Sequence, residues 1–337
     1  MFRVRAATVL VAVLATAGLA GCAGTAASSG GDAVTLSLVA YSTPQAAYEK
    51  LIAAFQKTPA GKNVKFTQSY AASGDQSRAV AAGLKADLVA FSLEPDITRL
   101  VTAKLVDPNW NADAYKGMVT GSVVVIGVRK GNPKGIRTWD DLVKPGVQVL
   151  TPNPFTSGGA KWNILAAYGA KSNKGADVGS GVTYLQQLFD HVPVQDSSAR
   201  AELQTFTGGK GDAFLSYENE AIFAIANGQA VEYTVPDATI LIENPIAVTT
   251  NSAHPAEAKA FLDFIRGPEG QKIFAEAGYR PVAKGVGGPT FPTPATLFTV
   301  ADLGGWSKVN KDLFDPSVSV MASIEQKLGV ATSAAPK

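Results

Sequence analysis

The stretch "VTLSLVAYSTPQAAYEKLIAAFQKT", residues 34–58, decides the fold class of this chain. Its first part alternates apolar and polar positions, which predicts a β-strand. Thr43 and Pro44 then offer an N-cap and a proline suited to the first helical position. Apolar residues recur at helical spacing in the remainder, so a helix follows the strand directly. A strand that passes straight into a helix is typical of an α/β protein.

The same alternation continues along the chain. "NVKFTQSY" (63–70) predicts a second strand, "SGDQSRAVAAGL" (73–84) a second helix, and "ADLVAFSL" (86–93) a third strand. This order predicts a largely parallel sheet with helices on both faces. Near the other end, residues 255–278 predict a pair of helices broken at Gly267 and Pro268.

The first residues have the pattern of a targeting segment. Arg3 and Arg5 precede the apolar run "VLVAVLATAGLA" (9–20), which is too short to span a bilayer comfortably. The run closes with Leu-Ala-Gly-Cys, which resembles the lipobox of bacterial lipoproteins. The resemblance implies that residues 1–22 are a lipoprotein signal peptide and that Cys22 carries the lipid. An ordinary secretory signal with an incidental cysteine is the alternative.

Residues 23–33, "AGTAASSGGDA", predict a flexible tether after the signal. Cys22 is the only cysteine, so no internal disulfide is possible. We therefore expect the mature protein on the extracytoplasmic face of a cell membrane, held there by acyl chains. Whether that face borders a periplasm or a cell wall stays open.

Composition excludes several classes of function. The chain has 337 residues, 46% hydrophobic and 17% charged, with a formal net charge of +2. This length supports two ordinary domains, and the even charge gives no basic face for nucleic acid. His191 and His254 are far apart in sequence and no Cys/His cluster exists, so we expect no metal and no cofactor.

Several predicted helices begin with small or hydroxyl residues. The first turn of a helix has free N–H groups and a partial positive charge, so it readily holds an anion. In open α/β sheets these turns lie beyond the carboxyl ends of the strands, where ligands bind. None of the turns contains Lys or Arg. The four turns are Ser42-Thr43, Ser73-Gly74, Ser157-Gly158-Gly159 and Ser197-Ser198-Ala199.

Long blocks of this sequence resemble the sulfate-binding components of ABC importers. They include "SYAASGDQSRAV", "VRKGNPKGIRTWDDLVKPGVQVLTPNPFTSGGAKWNILAAYG", "DSSARAE" and "GDAFLSYENEA". The likeness covers almost the whole mature chain. It implies a two-lobed α/β fold, the type II periplasmic-binding-protein fold, with mostly parallel sheets and a hinge between the lobes. By analogy, lobe 1 comprises residues 34–121 plus 245–330, and lobe 2 comprises 122–244.

The resemblance also implies a site. Family members hold a dehydrated sulfate dianion with backbone amides, a serine hydroxyl and a tryptophan indole, and no cationic side chain touches the ion. The tryptophan position is occupied by Tyr217. Three further residues are expected behind the ligand shell: Gly74 opens the turn of Ser73, and Asp196 and Arg200 brace the turn of Ala199 as a pair. Carried over to this sequence, the family's amide and hydroxyl donors are Ser42, Ser73, Ser157, Gly158, Gly159 and Ala199.

The implied function is capture of sulfate and its delivery to an ABC permease and ATPase, by a monomer that is not an enzyme. Sulfate has no proton near neutral pH, so donors alone satisfy it. Hydrogen phosphate would bring a proton without an acceptor, although the Tyr217 oxygen could take it. Thiosulfate and molybdate are alternative ligands. A secreted hydrolase with Ser157 as nucleophile and a surface adhesin or receptor are alternatives of other classes.

Overall fold

The computed structural model describes residues 33–332; the predicted signal peptide, Cys22 and almost all of the tether lie outside this range. Strands and helices alternate through the described chain. The strands are β1 Val34–Tyr41, β2 Val64–Ala71, β3 Leu88–Ala90, β4 Met118–Arg129, β5 Val149–Leu150, β6 Ala213–Tyr217, β7 Val231–Thr234, β8 Ala238–Val248, β9 Arg280–Pro281 and β10 Thr296–Phe298.

The helices vary in length from two to four turns, and short 3₁₀ turns occur at Trp139–Val143 and Ala301–Leu303. Within residues 33–332, none of them has the length and apolar character needed to cross a membrane. The α-helices are α1 Gln45–Phe55, α2 Ser73–Ala81, α3 Glu94–Thr102, α4 Gly158–Lys171, α5 Val178–Asp190, α6 Ala199–Thr207, α7 Glu218–Ala226, α8 Pro255–Arg266, α9 Pro268–Glu276, α10 Gly305–Phe314 and α11 Val320–Lys327.

The strands form one sheet in the order β2-β1-β3-β8-β4-β6-β5. Its two ends are parallel: β1 pairs in parallel with β2 and β3, and β5 pairs in parallel with β6. The centre is different, because β4 runs antiparallel to β6, β7, β8 and β9. The expectation of a mostly parallel sheet is therefore wrong for the centre. A chain that leaves on one strand and returns on its neighbour must run in opposite directions on the two.

β4 and β8 are the long strands that join the two halves of the sheet. Along them Gly121 pairs with Glu243, and Thr120 pairs with Asn244. The predicted crossing points of the chain, near Gly121 and Asn244, thus lie opposite each other on adjacent strands. The division into two lobes itself stays a prediction.

Two large buried clusters lie on either side of this centre. In one, α1, α8 and α9 pack on β1 through side chains such as Leu51, Phe261 and Phe274. The other contains Trp162 of α4 together with Leu313 of α10 and Met321 of α11. The sequence analysis assigns residues 245–330 to lobe 1. However, α10 and α11 pack against side chains of residues 122–244, the range assigned to lobe 2. Their apolar faces are covered by α4 and α5, which the helical pattern alone does not reveal.

Gly169 on α4 lets the C-terminal part of the chain dock. A Cβ atom at this position would lie 2.3 Å from the ring of Phe298, which is buried. We predict that Gly169→Ala lowers the free energy of unfolding by about 1–3 kcal/mol because the core becomes overpacked. Gly287→Ala is the control, since a Cβ there meets no atom within 4 Å. Urea denaturation measures both, and equal stability of the two variants would contradict this packing.

Candidate functional site

The N-terminal turns of α2, α4 and α6 meet the carboxyl ends of β1 and β6 around one small cavity. α2 follows β2, which is parallel to β1, and α4 follows β5, which is parallel to β6. In each half of the sheet a helix start therefore lies beyond the carboxyl end of a strand. The third helix, α6, follows α5 directly and has its start at the same cavity. The lining residues are Tyr41, Ser42, Thr43, Ala72, Ser73, Ser92, Ser157, Gly158, Gly159, Ser198, Ala199 and Tyr217.

The start of α4 presents a hydroxyl and two amides. Ser157 is the N-cap, and its Oγ accepts a hydrogen bond from the Ala160 amide at 3.3 Å. Because the oxygen is the acceptor in that bond, the hydroxyl hydrogen stays available for a ligand. The amides of Gly158 and Gly159 occupy the first helical positions, where no intrahelical acceptor exists.

The start of α6 is built in the same way. Ser198 is its N-cap and accepts from the Ala201 amide at 3.3 Å. The amide of Ala199, at the first helical position, is left for another acceptor. Ala199 is buried at the cavity wall.

At the start of α2 the serine hydroxyl is already engaged. Ser73 Oγ donates to Asp96 Oδ2 at 2.6 Å and accepts from the Ser92 amide at 3.0 Å. The contribution of Ser73 to a ligand therefore comes from its backbone N–H. The hydroxyl instead holds the turn against α3 and β3.

Ser92 is a lining residue that the sequence analysis missed. Its carbonyl oxygen accepts from the Trp162 indole Nε1 at 2.9 Å and from the Asn244 Nδ2 at 3.2 Å. Its Oγ lies 2.5 Å from the hydroxyl oxygen of Tyr217. Ser92 follows β3, and the rule that ligands bind beyond the carboxyl ends of such strands could have singled it out.

The glycines at the start of α4 have unequal steric roles. A Cβ on Gly158 would lie 2.5 Å from Ser92 Oγ and 2.7 Å from Ser92 Cβ. A Cβ on Gly159 would meet Ala199 Cβ at 3.4 Å, which is ordinary contact. Only a glycine at 158 allows the backbone of α4 to approach Ser92 this closely. At the α2 turn, a Cβ on Gly74 would lie 3.0 Å from the Thr156 carbonyl oxygen.

The cavity lining contains no Lys, Arg, His, Asp or Glu. Ionic pairs lie behind it. Arg200 donates to both carboxylate oxygens of Glu220, at 2.9 and 3.0 Å, and to the Thr43 carbonyl at 3.0 Å. On the other side Arg99 donates to Asp96 at 2.8 Å. A ligand here meets neutral donors, and the charged groups act only through the turns they hold.

The expectation that Asp196 and Arg200 form a pair is wrong. Asp196 does not pair with Arg200; its Oδ1 accepts from Thr205 Oγ1 at 3.0 Å. Arg200 pairs instead with Glu220, whose side chain is fully buried behind the cavity. Glu218, at the start of α7, is also buried, and it pairs with Arg280 at 2.8 Å.

Burial raises the pKa of Glu220, and the charge and hydrogen bonds of Arg200 act in the opposite direction. Lys161, one turn into α4, has its pKa lowered to about 8 by burial. Its ammonium donates to Asn310 Oδ1 at 3.2 Å. These side chains put charge near the helix starts without placing it in the cavity.

All seven residues expected to bind the ligand line this one cavity: Ser42, Ser73, Ser157, Gly158, Gly159, Ala199 and Tyr217. Gly74 lies directly behind the lining at the α2 turn, whereas Asp196 has a different partner from the one expected. His191 and His254 are not part of the lining. Within residues 33–332, no group of His, Cys, Asp and Glu is arranged to hold a metal ion.

The family is established by comparison with known proteins. Residues 36–280 match the model of the bacterial extracellular solute-binding proteins, and the chain belongs to that family. A sulfate-binding protein of Synechococcus elongatus is 42% identical over 90% of this chain and 92% of its own length. The solved sulfate-binding protein SubI of Mycobacterium tuberculosis H37Rv is 48% identical, with a TM-score of 0.82 over 84% of this chain and 100% of SubI.

A thiosulfate-binding protein of Pseudomonas aeruginosa is 33% identical over 82% of this chain and 88% of its own length. The predicted family and the α/β solute-binding-protein fold are confirmed by these relatives. The relatives are solute-binding proteins of the extracytoplasmic class.

The Arg200–Glu220 pair yields a stability prediction. Arg200→Met should destabilise the protein by about 3–5 kcal/mol, because it leaves the Glu220 carboxylate buried without a countercharge. Arg200→Met combined with Glu220→Gln removes both charges and should recover most of that loss. Urea denaturation of both variants measures the difference.

The same pair gives a pH dependence with a definite sign. Without Arg200, no countercharge opposes the effect of burial on Glu220. The pKa of the Glu220 carboxyl in the folded state then lies well above its pKa in the unfolded state. The Arg200→Met variant should therefore be most stable at low pH and lose stability as the pH rises through the folded pKa. A pH-independent difference between the single and double variants would contradict the effect of burial on the pKa of Glu220.

Proposed function

We propose that this protein captures sulfate in the cavity formed by α2, α4, α6 and Tyr217, and delivers it to an ABC permease and its ATPase. One observation carries the proposal. The seven residues expected to contact the ion surround a single cavity whose lining has many hydrogen-bond donors and no charged side chain.

The donor set suits a dehydrated dianion. Hydrogen bonds to a charged partner contribute about 1.5–3 kcal/mol each, so several together offset the cost of removing water from the ion. The amides of Gly158, Gly159 and Ala199 also lie at helix starts, where the helix dipole favours negative charge. Sulfate, with four oxygens that only accept, uses such donors fully.

Capture requires that the two predicted lobes close on the ion. Trp162 and Tyr217 of lobe 2 bond to Ser92 of lobe 1, and Arg200 of lobe 2 bonds to the Thr43 carbonyl of lobe 1. We assign these bonds to the closed form. Opening at the hinge breaks them and exposes the ion, and closure around a ligand is a known use of such hinges.

Attachment to the membrane through a lipidated Cys22 is part of the proposal and rests on the sequence alone. A monomeric state is also part of the proposal. The cavity is lined by residues of one chain and needs no second chain to complete it. Catalysis is not proposed: the cavity lining contains no histidine to activate Ser157 as a nucleophile. Thiosulfate is the second candidate ligand, because one of the relatives is a thiosulfate-binding protein.

Titration calorimetry of the purified protein with sulfate, thiosulfate, molybdate and phosphate tests the ligand. We expect sulfate to bind tightest. Binding of phosphate without any binding of sulfate would overturn the proposal. Tighter binding of thiosulfate than of sulfate would establish the second candidate.

Ser157→Ala should weaken sulfate binding by about tenfold or more, since a hydrogen bond to a charged group contributes about 1.5–3 kcal/mol. The substitution also removes an N-cap. Ser319→Ala is the matched control, because Ser319 caps α11 through the Ala322 amide and lies outside the cavity lining. Equal sulfate affinity of the two variants would remove Ser157 from the site.

Gly158→Ala tests the close approach of α4 to Ser92. The added methyl group would overlap Ser92 Oγ, so the lobes cannot close fully and sulfate affinity should fall by about 100-fold. Gly159→Ala should cause a smaller loss, because its Cβ meets only ordinary contacts. Calorimetry measures affinity, and small-angle scattering with saturating sulfate measures closure. A larger loss for Gly159→Ala would contradict the geometry.

A further inference from the structure

Two hydroxyl groups in the cavity wall form a pair. The oxygens of Ser92 and Tyr217 lie 2.5 Å apart, both residues line the cavity, and both are almost fully buried. Burial raises the pKa of the Tyr217 phenol, so the phenol keeps its proton at any physiological pH. The pair thus always holds two hydrogens.

Counting these hydrogens shows what the pair offers a ligand. One hydrogen lies between the two oxygens, because either hydroxyl can donate to the other. The second hydrogen points away from the pair. Whichever hydroxyl donates internally has its oxygen free to accept, and the other hydroxyl has its hydrogen free to donate. The pair therefore presents one donor and one acceptor, and the two roles exchange by rotation of the hydroxyl groups.

The neighbouring groups lack this property. The amides of Gly158, Gly159 and Ala199 can only donate. Ser157 Oγ already accepts a hydrogen bond from the Ala160 amide. If it also accepted one from a ligand hydroxyl, the Ser157 hydroxyl hydrogen would need another acceptor. Thr43 Oγ1 lies 3.2 Å from the Tyr279 hydroxyl, but Tyr279 is not part of the cavity lining. Tyr41 also lines the cavity, but its buried hydroxyl has no hydrogen-bond partner, so its own hydrogen would be left unpaired if it accepted from a ligand. Ser92 and Tyr217 are the two lining residues whose hydroxyls bond to each other.

We propose that the Ser92–Tyr217 hydroxyl pair sets the oxyanion specificity of this site. The pair does so by accepting a hydrogen bond from the hydroxyl group of a singly protonated tetrahedral dianion, such as hydrogen phosphate. The ligand hydroxyl donates to one oxygen of the pair, that hydroxyl donates to the second, and the second donates to another oxygen of the same ligand. With sulfate, the free hydrogen of the pair simply donates to the ion. This inference rests on the proposed function, since it concerns the same cavity.

Two size-matched ligand pairs isolate the effect of the ligand proton. Near pH 8, sulfate and selenate are unprotonated, whereas most phosphate and arsenate carry a single proton. Titration calorimetry of the unsubstituted protein, Ser92→Ala, Tyr217→Phe and the control Thr67→Val with all four anions gives the affinity ratio within each pair. We expect sulfate to bind tightest and hydrogen phosphate to bind with a Kd of about 1 mM or lower.

When either hydroxyl is removed, the remaining hydroxyl can still donate to sulfate. When the remaining hydroxyl accepts from hydrogen phosphate, however, its own hydrogen has no acceptor. Ser92→Ala and Tyr217→Phe should therefore raise the sulfate-to-phosphate and selenate-to-arsenate preferences by about fivefold or more, the effect of one unsatisfied buried polar group. Thr67→Val should leave both ratios within about twofold, because it breaks a hydroxyl pair, Ser37 Oγ and Thr67 Oγ1 at 2.9 Å, that lies outside the cavity lining.

The outcomes separate this inference from the proposed function. If the unsubstituted protein does not bind sulfate, the proposed function fails. If sulfate binds but hydrogen phosphate does not bind at millimolar concentration, only the role of the pair fails. The role of the pair also fails if both ratios stay constant in Ser92→Ala and Tyr217→Phe, or if they change by the same factor in Thr67→Val.

Discussion

The approach of the α4 backbone to Ser92 is the contact on which the cavity depends. Gly158 has no side chain to separate them, and Trp162 on the same helix donates to the Ser92 carbonyl. This contact brings the amides of one half of the molecule against the hydroxyls of the other. The cavity stays small as a result, and its lining combines residues from both halves of the sheet.

Keeping full charges out of the cavity lining has a physical consequence. The Arg200–Glu220 and Arg99–Asp96 pairs hold the turns of α6 and α2 in place, yet their charges are already compensated by each other. A bound anion therefore meets oriented dipoles and has no free cation to hold it. Such a site offers preorganised hydrogen bonds in place of a countercharge.

The sequence predicted the local part of this arrangement well. Strand and helix alternation, the helix break at Gly267, and the small residues at the starts of α2, α4 and α6 are all local patterns. The antiparallel centre of the sheet was not predictable in this way, because strand direction depends on which distant strand becomes the neighbour. The same holds for the partner of Arg200, because Asp196 is an acidic residue near it in sequence, whereas packing brings Glu220 to it from 20 residues along the chain.

By itself the sequence determined which backbone groups are available: capped helix starts with free amides follow from Ser157, Gly158 and their equivalents. The tertiary structure decided what those groups face. It placed the Ser92 hydroxyl next to the Tyr217 hydroxyl. It also directed the Ser73 hydroxyl to Asp96, so that this hydroxyl is not free to bind a ligand. Hydrogen-bond donors are a property of local conformation, whereas their partners are fixed by packing between segments that lie far apart in the chain.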